Sequence, residues 1–158
     1  MALGAIIPRH AAERRLCFYN AHTGERLRVC YCRDGRYLPE ALFQINYILR
    51  DFRTGEIKPI DVRLLDTLYR LSRRVSHRCT FHIISGYRSP ATNARLRRKS
   101  RGVAKNSYHM YGKAIDIYVP GYRLSRLRRQ ALKLRAGGVG YYPKTGFVHL
   151  DVGPVRQW

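Results

Sequence analysis

Between Leu16 and Leu38 the chain reads "LCFYNAHTGERLRVCYCRDGRYL". Apolar residues alternate with polar ones on both sides of "HTGE". A period of two places every second side chain on one face of a strand. "HTGE" and "RDGR" supply turn chemistry, so the stretch reads as a hairpin followed by a second turn. A hairpin cannot bury its apolar face alone, so the rest of the chain must cover it.

Two helical patterns follow. "PEALFQINYILRDF" starts with Pro39, which suits a first turn, and places Leu42, Ile45, Ile48 and Leu49 on one face. "DFRTGEIKPI" is a loop. "DVRLLDTLYRLSRRV" has Asp61 as N-cap and Leu64, Leu65, Leu68 and Leu71 turned inward. Next come a short strand "TFHIIS", a turn "GYRSP", a basic helix "ATNARLRRKS" and a strand "KAIDIYV". A second basic helix, "SRLRRQALKLRA", ends at Gly137 and Gly138, and the strands "VGYY" and "FVHLDV" flank "PKTG". The pattern predicts an α+β domain: a small antiparallel sheet with flanking helices, over residues 16–158, preceded by a flexible segment 1–15. No repeat or low-complexity linker interrupts it.

Apolar residues make up 45% of the chain, which excludes a disordered polycation despite a formal charge of +21. That charge favours a polyanionic neighbourhood: nucleic acid, an anionic membrane surface or an acidic wall polymer. The ten acids are unevenly placed: Glu13, Glu25, Asp34, Glu40, Asp51, Glu56, Asp61 and Asp66 come early. Only Asp116 and Asp151 lie beyond Tyr69. Both have a histidine nearby, His109 in "SYHMYGKAID" and His149 in "FVHLDVG".

Two imidazoles and a carboxylate form a zinc-binding set that leaves a position for a catalytic water. In strands, Asp116 shares a face with Ala114 and Tyr118, and His149 shares one with Asp151. Gly112 permits the tight path that returns His109 over the sheet. H-x6-D has no specificity as a pattern alone. The other histidines read as packing or turn residues: His82 in a strand, His77 in a basic turn, His22 in the hairpin turn and His10 in the terminus. Cys17, Cys30, Cys32 and Cys79 lack CxxC or zinc-finger spacing. Cys30 and Cys32 would share a strand face. Free thiols are the first reading and one disulfide the second. No segment is long enough to span a membrane, and the N-terminal apolar patch lacks a signal-peptide core.

"SYHMYGKAID" resembles the S-x-H-x-x-G-x-A-x-D signature of the LAS zinc metallopeptidases, the group of D-alanyl-D-alanine carboxypeptidases and related dipeptidases. "SGYRSP" upstream and "GFVHLDVG" downstream appear in the matching order. From about Leu16 to Trp158 the chain is similar to the YcbK-like (MepK) branch, which consists of murein endopeptidases and relatives. The resemblance implies a Hedgehog/D-Ala-D-Ala-peptidase-like fold and one Zn2+ per chain held by His109, Asp116 and His149. It places Arg88 near the substrate, as carboxylate clamp or oxyanion partner, and Ser107 beside a ligand or in a turn. Many LAS enzymes carry a general-base glutamate three residues before the last zinc histidine. Gly146 stands there, so Asp151 is either the base or a partner that orients a ligand.

The function implied is hydrolysis of an amide bond in peptidoglycan peptide crosslinks by metal-activated water. In the nearest branch the bond joins two diaminopimelate residues; other members cut D-Ala-D-Ala or L-Ala-D-Glu bonds. The family is largely exported, which implies the periplasm, and a regulatory or adaptor protein is left open. Two other classes compete. A non-catalytic metal-binding wall scaffold would explain the missing glutamate. A nucleic-acid module would use the basic helices and tyrosines, but no helix-turn-helix, zinc-finger or RNA-recognition signature accompanies them, so no specific nucleic acid is expected.

Overall fold

Strands β1 (Glu13–Asn20) and β2 (Arg26–Arg33) pair antiparallel as the expected hairpin, and β3 (Arg36–Tyr37) continues it past the second turn. The computed structural model describes residues 12–158; residues 1–11 of the terminal segment, with His10, lie outside the described residues. The chain is in β1 from Glu13, inside the stretch 1–15 read as terminal. Helices α1 (Pro39–Ile48) and α2 (Val62–Val75) follow, then β4 (Phe81–Ser85), α3 (Pro90–Lys99) and a 3₁₀ turn at Tyr108–Tyr111. Strand β5 (Ala114–Tyr118), helix α4 (Leu124–Leu134), and strands β6 (Gly138–Tyr142), β7 (Phe147–Asp151) and β8 (Arg156–Gln157) complete the chain.

The α+β class holds, but the sheet is neither small nor purely antiparallel. All eight described strands form one sheet in the order β3-β2-β1-β4-β5-β7-β6-β8. β1 pairs parallel with β4, and β6 parallel with β8. The intervening α1 and α2 carry the chain back so that β4 enters in the direction of β1. Residue alternation is the same in parallel and antiparallel strands, so the sequence pattern carries no trace of this long-range choice.

One sheet face buries Leu16, Phe18, Val29, Phe81, Ile83, Ile115, Ile117, Val148 and Leu150. Against it lie Ile45 of α1, the four leucines of α2 and Leu127 and Ala131 of α4, all buried. Each fully buried leucine contributes about 1.5–3 kcal/mol, which makes α2 the main clamp on this face. Asp61 caps α2 by accepting from Arg63 N at 2.9 Å, and Arg73 and Arg74 complement the negative end of its dipole.

Two local expectations need correction. Arg135, not a glycine, takes the left-handed position ending α4, at φ +48°. Gly137 serves a different need: a Cβ there would lie 1.9 Å from the Asp151 carbonyl oxygen. Cys30 and Cys32 do not form a simple same-face pair. A bulge sets Arg14 opposite Cys32 and Arg15 opposite Cys30, so Tyr31 is the extra residue and both it and Cys32 are buried. All four cysteines are free.

The opposite sheet face presents Asp116 of β5 and His149 and Asp151 of β7. The segment between β4 and β5 folds over this end of the face. It docks on the loop before α2, where Asp61 N donates to Gly112 O at 2.9 Å. Gly112 has φ +64°, and a Cβ would lie 2.3 Å from the Pro59 carbonyl oxygen, so no other residue fits.

Candidate metal centre

Asp116 and His149 are direct cross-strand partners in the β5–β7 register. The register thus brings together two side chains that alternation had placed only within their own strands. His109 arrives from the 3₁₀ turn, which Ser107 caps by accepting from His109 N at 3.4 Å. Arg88 N donates to His109 O at 3.1 Å, tying "SGYRSP" to the same turn.

Three atoms converge. His149 Nδ1 lies 2.8 Å from Asp116 Oδ1, and His109 Nε2 lies 3.2 Å from both Asp116 Oδ1 and His149 Nδ1. The outer nitrogens fix what these inner atoms are. His109 Nδ1 faces the Gly86 carbonyl at 2.8 Å, and His149 Nε2 faces Asp151 Oδ2 at 3.0 Å. Carbonyl and carboxylate oxygens only accept, so both outer nitrogens carry the hydrogen. With both imidazoles neutral, three lone-pair atoms would point at one another in the interior, an arrangement that calls for a cation. A tetrahedral ion with bonds of about 2.0–2.1 Å needs ligand separations of about 3.3 Å, close to those seen. Among the described residues, His109, Asp116 and His149 are the group able to hold a metal, and all three are buried. Nitrogen and carboxylate donors suit zinc, and each histidine is braced from behind as metal-binding histidines generally are.

The charges obey the same logic. Burial opposes a charged His149, but the Asp116 and Asp151 carboxylates outweigh it and hold its pKa up to about 9. Burial also opposes ionised Asp116, yet His109 and His149 together keep it well below the usual carboxylate range. Burial dominates at His109 and lowers its pKa against the pull of Asp116. Without an ion, the positive charge at this vertex is a proton on His149 Nδ1 facing Asp116 Oδ1; a bound cation replaces that proton, as metal binding at histidine does generally.

Asp151 is fully engaged. Its Oδ1 accepts from Gly138 N at 3.1 Å, Gly153 N at 2.8 Å and Arg156 Nη1 at 3.0 Å. Its Oδ2 accepts from His149 Nε2 and from Arg156 Nη2 at 2.7 Å. Five donors saturate the roughly four lone-pair sites of a carboxylate. Burial alone would raise its pKa, but these donors hold it well below the usual range.

Arg88 is half-buried beside the triad, with Nη2 at 3.8 Å from Asp116 Oδ2. Its other contacts, to Asn93 Oδ1 at 3.3 Å and Ser85 Oγ at 3.4 Å, are long. Its Nε is buried without a partner. Burial pushes its pKa down, partly against Asp116. Gly146 has φ +82° in the β6–β7 turn, and its N donates to Tyr142 O at 2.8 Å, so the position serves the hairpin.

The triad opens into a cleft of about 450 Å³ whose walls include Arg88, Ser107, Tyr108, Tyr142, Phe147 and Trp158. Tyr142 of "VGYY" and Arg156 and Trp158 of "GPVRQW" also line the site, and nothing in the sequence marks them except proximity to "FVHLDVG". The other histidines lie elsewhere. His82 sits between Tyr19 and Tyr118 and bonds the Tyr118 hydroxyl at 3.0 Å, and His22 stacks on Phe52. No helix of the described residues is long and apolar enough to cross a membrane.

Comparison with known proteins identifies the family. The family model described as "Peptidoglycan L,D-endopeptidase MepK" matches residues 9–158. The peptidoglycan L,D-endopeptidase MepK of Escherichia coli strain K12 is 48% identical over 167 residues, covering 100% of this chain and 91% of the relative. The probable enzyme of that name from Haemophilus influenzae is 44% identical over 146 residues, covering 92% of this chain and 78% of the relative.

Proposed function

The chain belongs to the peptidoglycan L,D-endopeptidase MepK family, and from that premise we propose that it is a zinc-dependent peptidase hydrolysing an amide bond in peptidoglycan peptide crosslinks. The observation that carries this reading is the buried convergence of two imidazole nitrogens and a carboxylate oxygen, each imidazole braced from behind by an oxygen acceptor. When bound, zinc supplies an activated water near neutral pH and polarises the scissile carbonyl.

The chain's own residues divide the remaining work. His109, Asp116 and His149 hold the ion. Gly86 O and Asp151 fix the tautomers that aim both imidazoles at it. Asp151, with every lone pair engaged, orients His149 and is not the proton acceptor; the alternative of Asp151 as base is set aside. Arg88 holds a substrate carboxylate or the developing oxyanion, for which its long, weak contacts and unpartnered Nε leave it available. Ser107 fixes the turn that delivers His109. Residues 16–158 act as one catalytic domain, and the charge of +21 suits an anionic wall in the periplasm. By the name of its relatives, the bond cut is an L,D crosslink.

Digestion of purified peptidoglycan followed by chromatography of the released peptides tests this. Native protein is expected to resolve L,D-crosslinked dimers, to stop with chelator, and to recover with zinc, while His109→Ala stays inactive. A zinc-loaded native protein that releases nothing from any peptidoglycan would favour the non-catalytic scaffold instead.

A further inference from the structure

The cleft contains a hydrogen-bond donor held in place by a second residue. Tyr142 ends β6, and its ring stacks on Phe147 across the turn at 4.6 Å and 21°. Its hydroxyl oxygen accepts from Trp158 Nε1 at 2.7 Å. An indole N–H can only donate, so the phenol proton is turned away from Trp158. Among the described residues no acceptor takes that proton.

Trp158 is itself fixed on three sides. Its N donates to Val139 O at 3.2 Å, and its O accepts from Tyr141 N at 3.0 Å. Its ring lies over Gly140, where a Cβ would come 2.8 Å from the indole. The same ring sits 5.3 Å from that of His149, and Arg156 lies 4.9 Å over it. The Tyr142 hydroxyl is therefore a pre-set donor in the cleft that holds the triad and Arg88.

Resting on the peptidase reading, we propose that Tyr142 is a catalytic residue: its hydroxyl donates a hydrogen bond to the substrate carbonyl oxygen as negative charge develops there, and Trp158 positions it. The donation matters most in the transition state, because the oxygen becomes a better acceptor as charge grows. No bond to Tyr142 forms or breaks. Arg88 and Tyr142 then flank the oxyanion from different elements, the turn between β4 and α3 and the β6–β7 hairpin.

Tyr142→Phe keeps the ring and its stacking and removes only the donor. Zinc content and thermal stability are measured alongside kcat and KM on a soluble L,D-crosslinked dimer. The expected result is a kcat about 100-fold lower, with bound zinc unchanged and KM within about threefold. Trp158→Phe, which keeps an aromatic ring over Gly140, should lose part of the same kcat and lose nothing further in the Tyr142→Phe background. A kcat within about threefold of native in Tyr142→Phe, a loss confined to KM, or additive losses in the double variant would overturn the assignment. If the native protein cleaves no dimer, the peptidase reading fails and this assignment with it. If native is active and Tyr142→Phe matches it, only the role of Tyr142 fails.

Discussion

In the early part of the chain, carboxylates meet arginines near the surface; in the late part, they meet histidines in the interior. Glu13 pairs with Arg15 and Arg33, Glu25 with Arg50, and Asp61 with Arg63. Such solvent-accessible pairs contribute little to stability, because water screens them and long side chains must be ordered to make them. Asp116 and Asp151 are buried, and each bonds His149. A buried carboxylate without partners is costly, so these two persist only because the site around them supplies donors and, for Asp116, calls for a cation. The same residue type trims the surface charge of one region and builds the chemistry of the other. Asp51 bridges the two: buried, it accepts from Ser89 N at 2.9 Å and fastens the loop after α1 to the start of α3.

Gly137→Ala should be the most damaging change outside the metal ligands. The added methyl collides with the Asp151 carbonyl, so β7 or the end of α4 must move. A loss of about 2–3 kcal/mol in denaturant unfolding is expected, together with weaker zinc binding. If stability fell but zinc binding did not, the late region would be less tightly coupled to its site than the contacts imply.

Asp66 gathers three side-chain donors, accepting from Arg14 at 2.7 Å, Tyr31 at 2.8 Å and Tyr37 at 2.7 Å. Burial alone would raise its pKa, but those donors outweigh it and lower it. Its ionised form is therefore favoured by folding. That increment is complete above the unfolded carboxyl pKa of about 4 and is lost as pH falls through the lower folded value. Asp66→Asn should cost about 1–2 kcal/mol at pH 7 and leave cleavage unchanged. Thermal melts from pH 6 to pH 3 should show the native advantage over this variant shrinking. At the small end, Arg63→Ala should leave the melting temperature within experimental scatter, since Asp61 keeps its cap to the Arg63 backbone.

Much of this architecture was legible in the sequence for local reasons. The hairpin, the Asp61 cap and the leucine face of α2 follow from nearest neighbours along one element. The pairing of His149 with Asp151 on one strand face followed from alternation, and the grouping of His109, Asp116 and His149 from their residue types and the motif resemblance. What escaped notice depended on distant packing. The parallel β1–β4 pairing is set by how α1 and α2 cross the sheet. The need for glycine at 137 arises from a carbonyl fourteen residues later. The saturation of Asp151 requires Arg156, Gly138 and Gly153 to meet in space, which no spacing announces.

The most direct test of the division between early and late acids is zinc affinity, measured by competition with a chromogenic chelator in three variants of the full chain. Asp116→Asn should abolish measurable binding, Asp151→Asn should weaken it about 10–100-fold by releasing His149, and Asp66→Asn should match native. Native-like affinity in Asp116→Asn, or an equal loss in Asp66→Asn, would contradict the account.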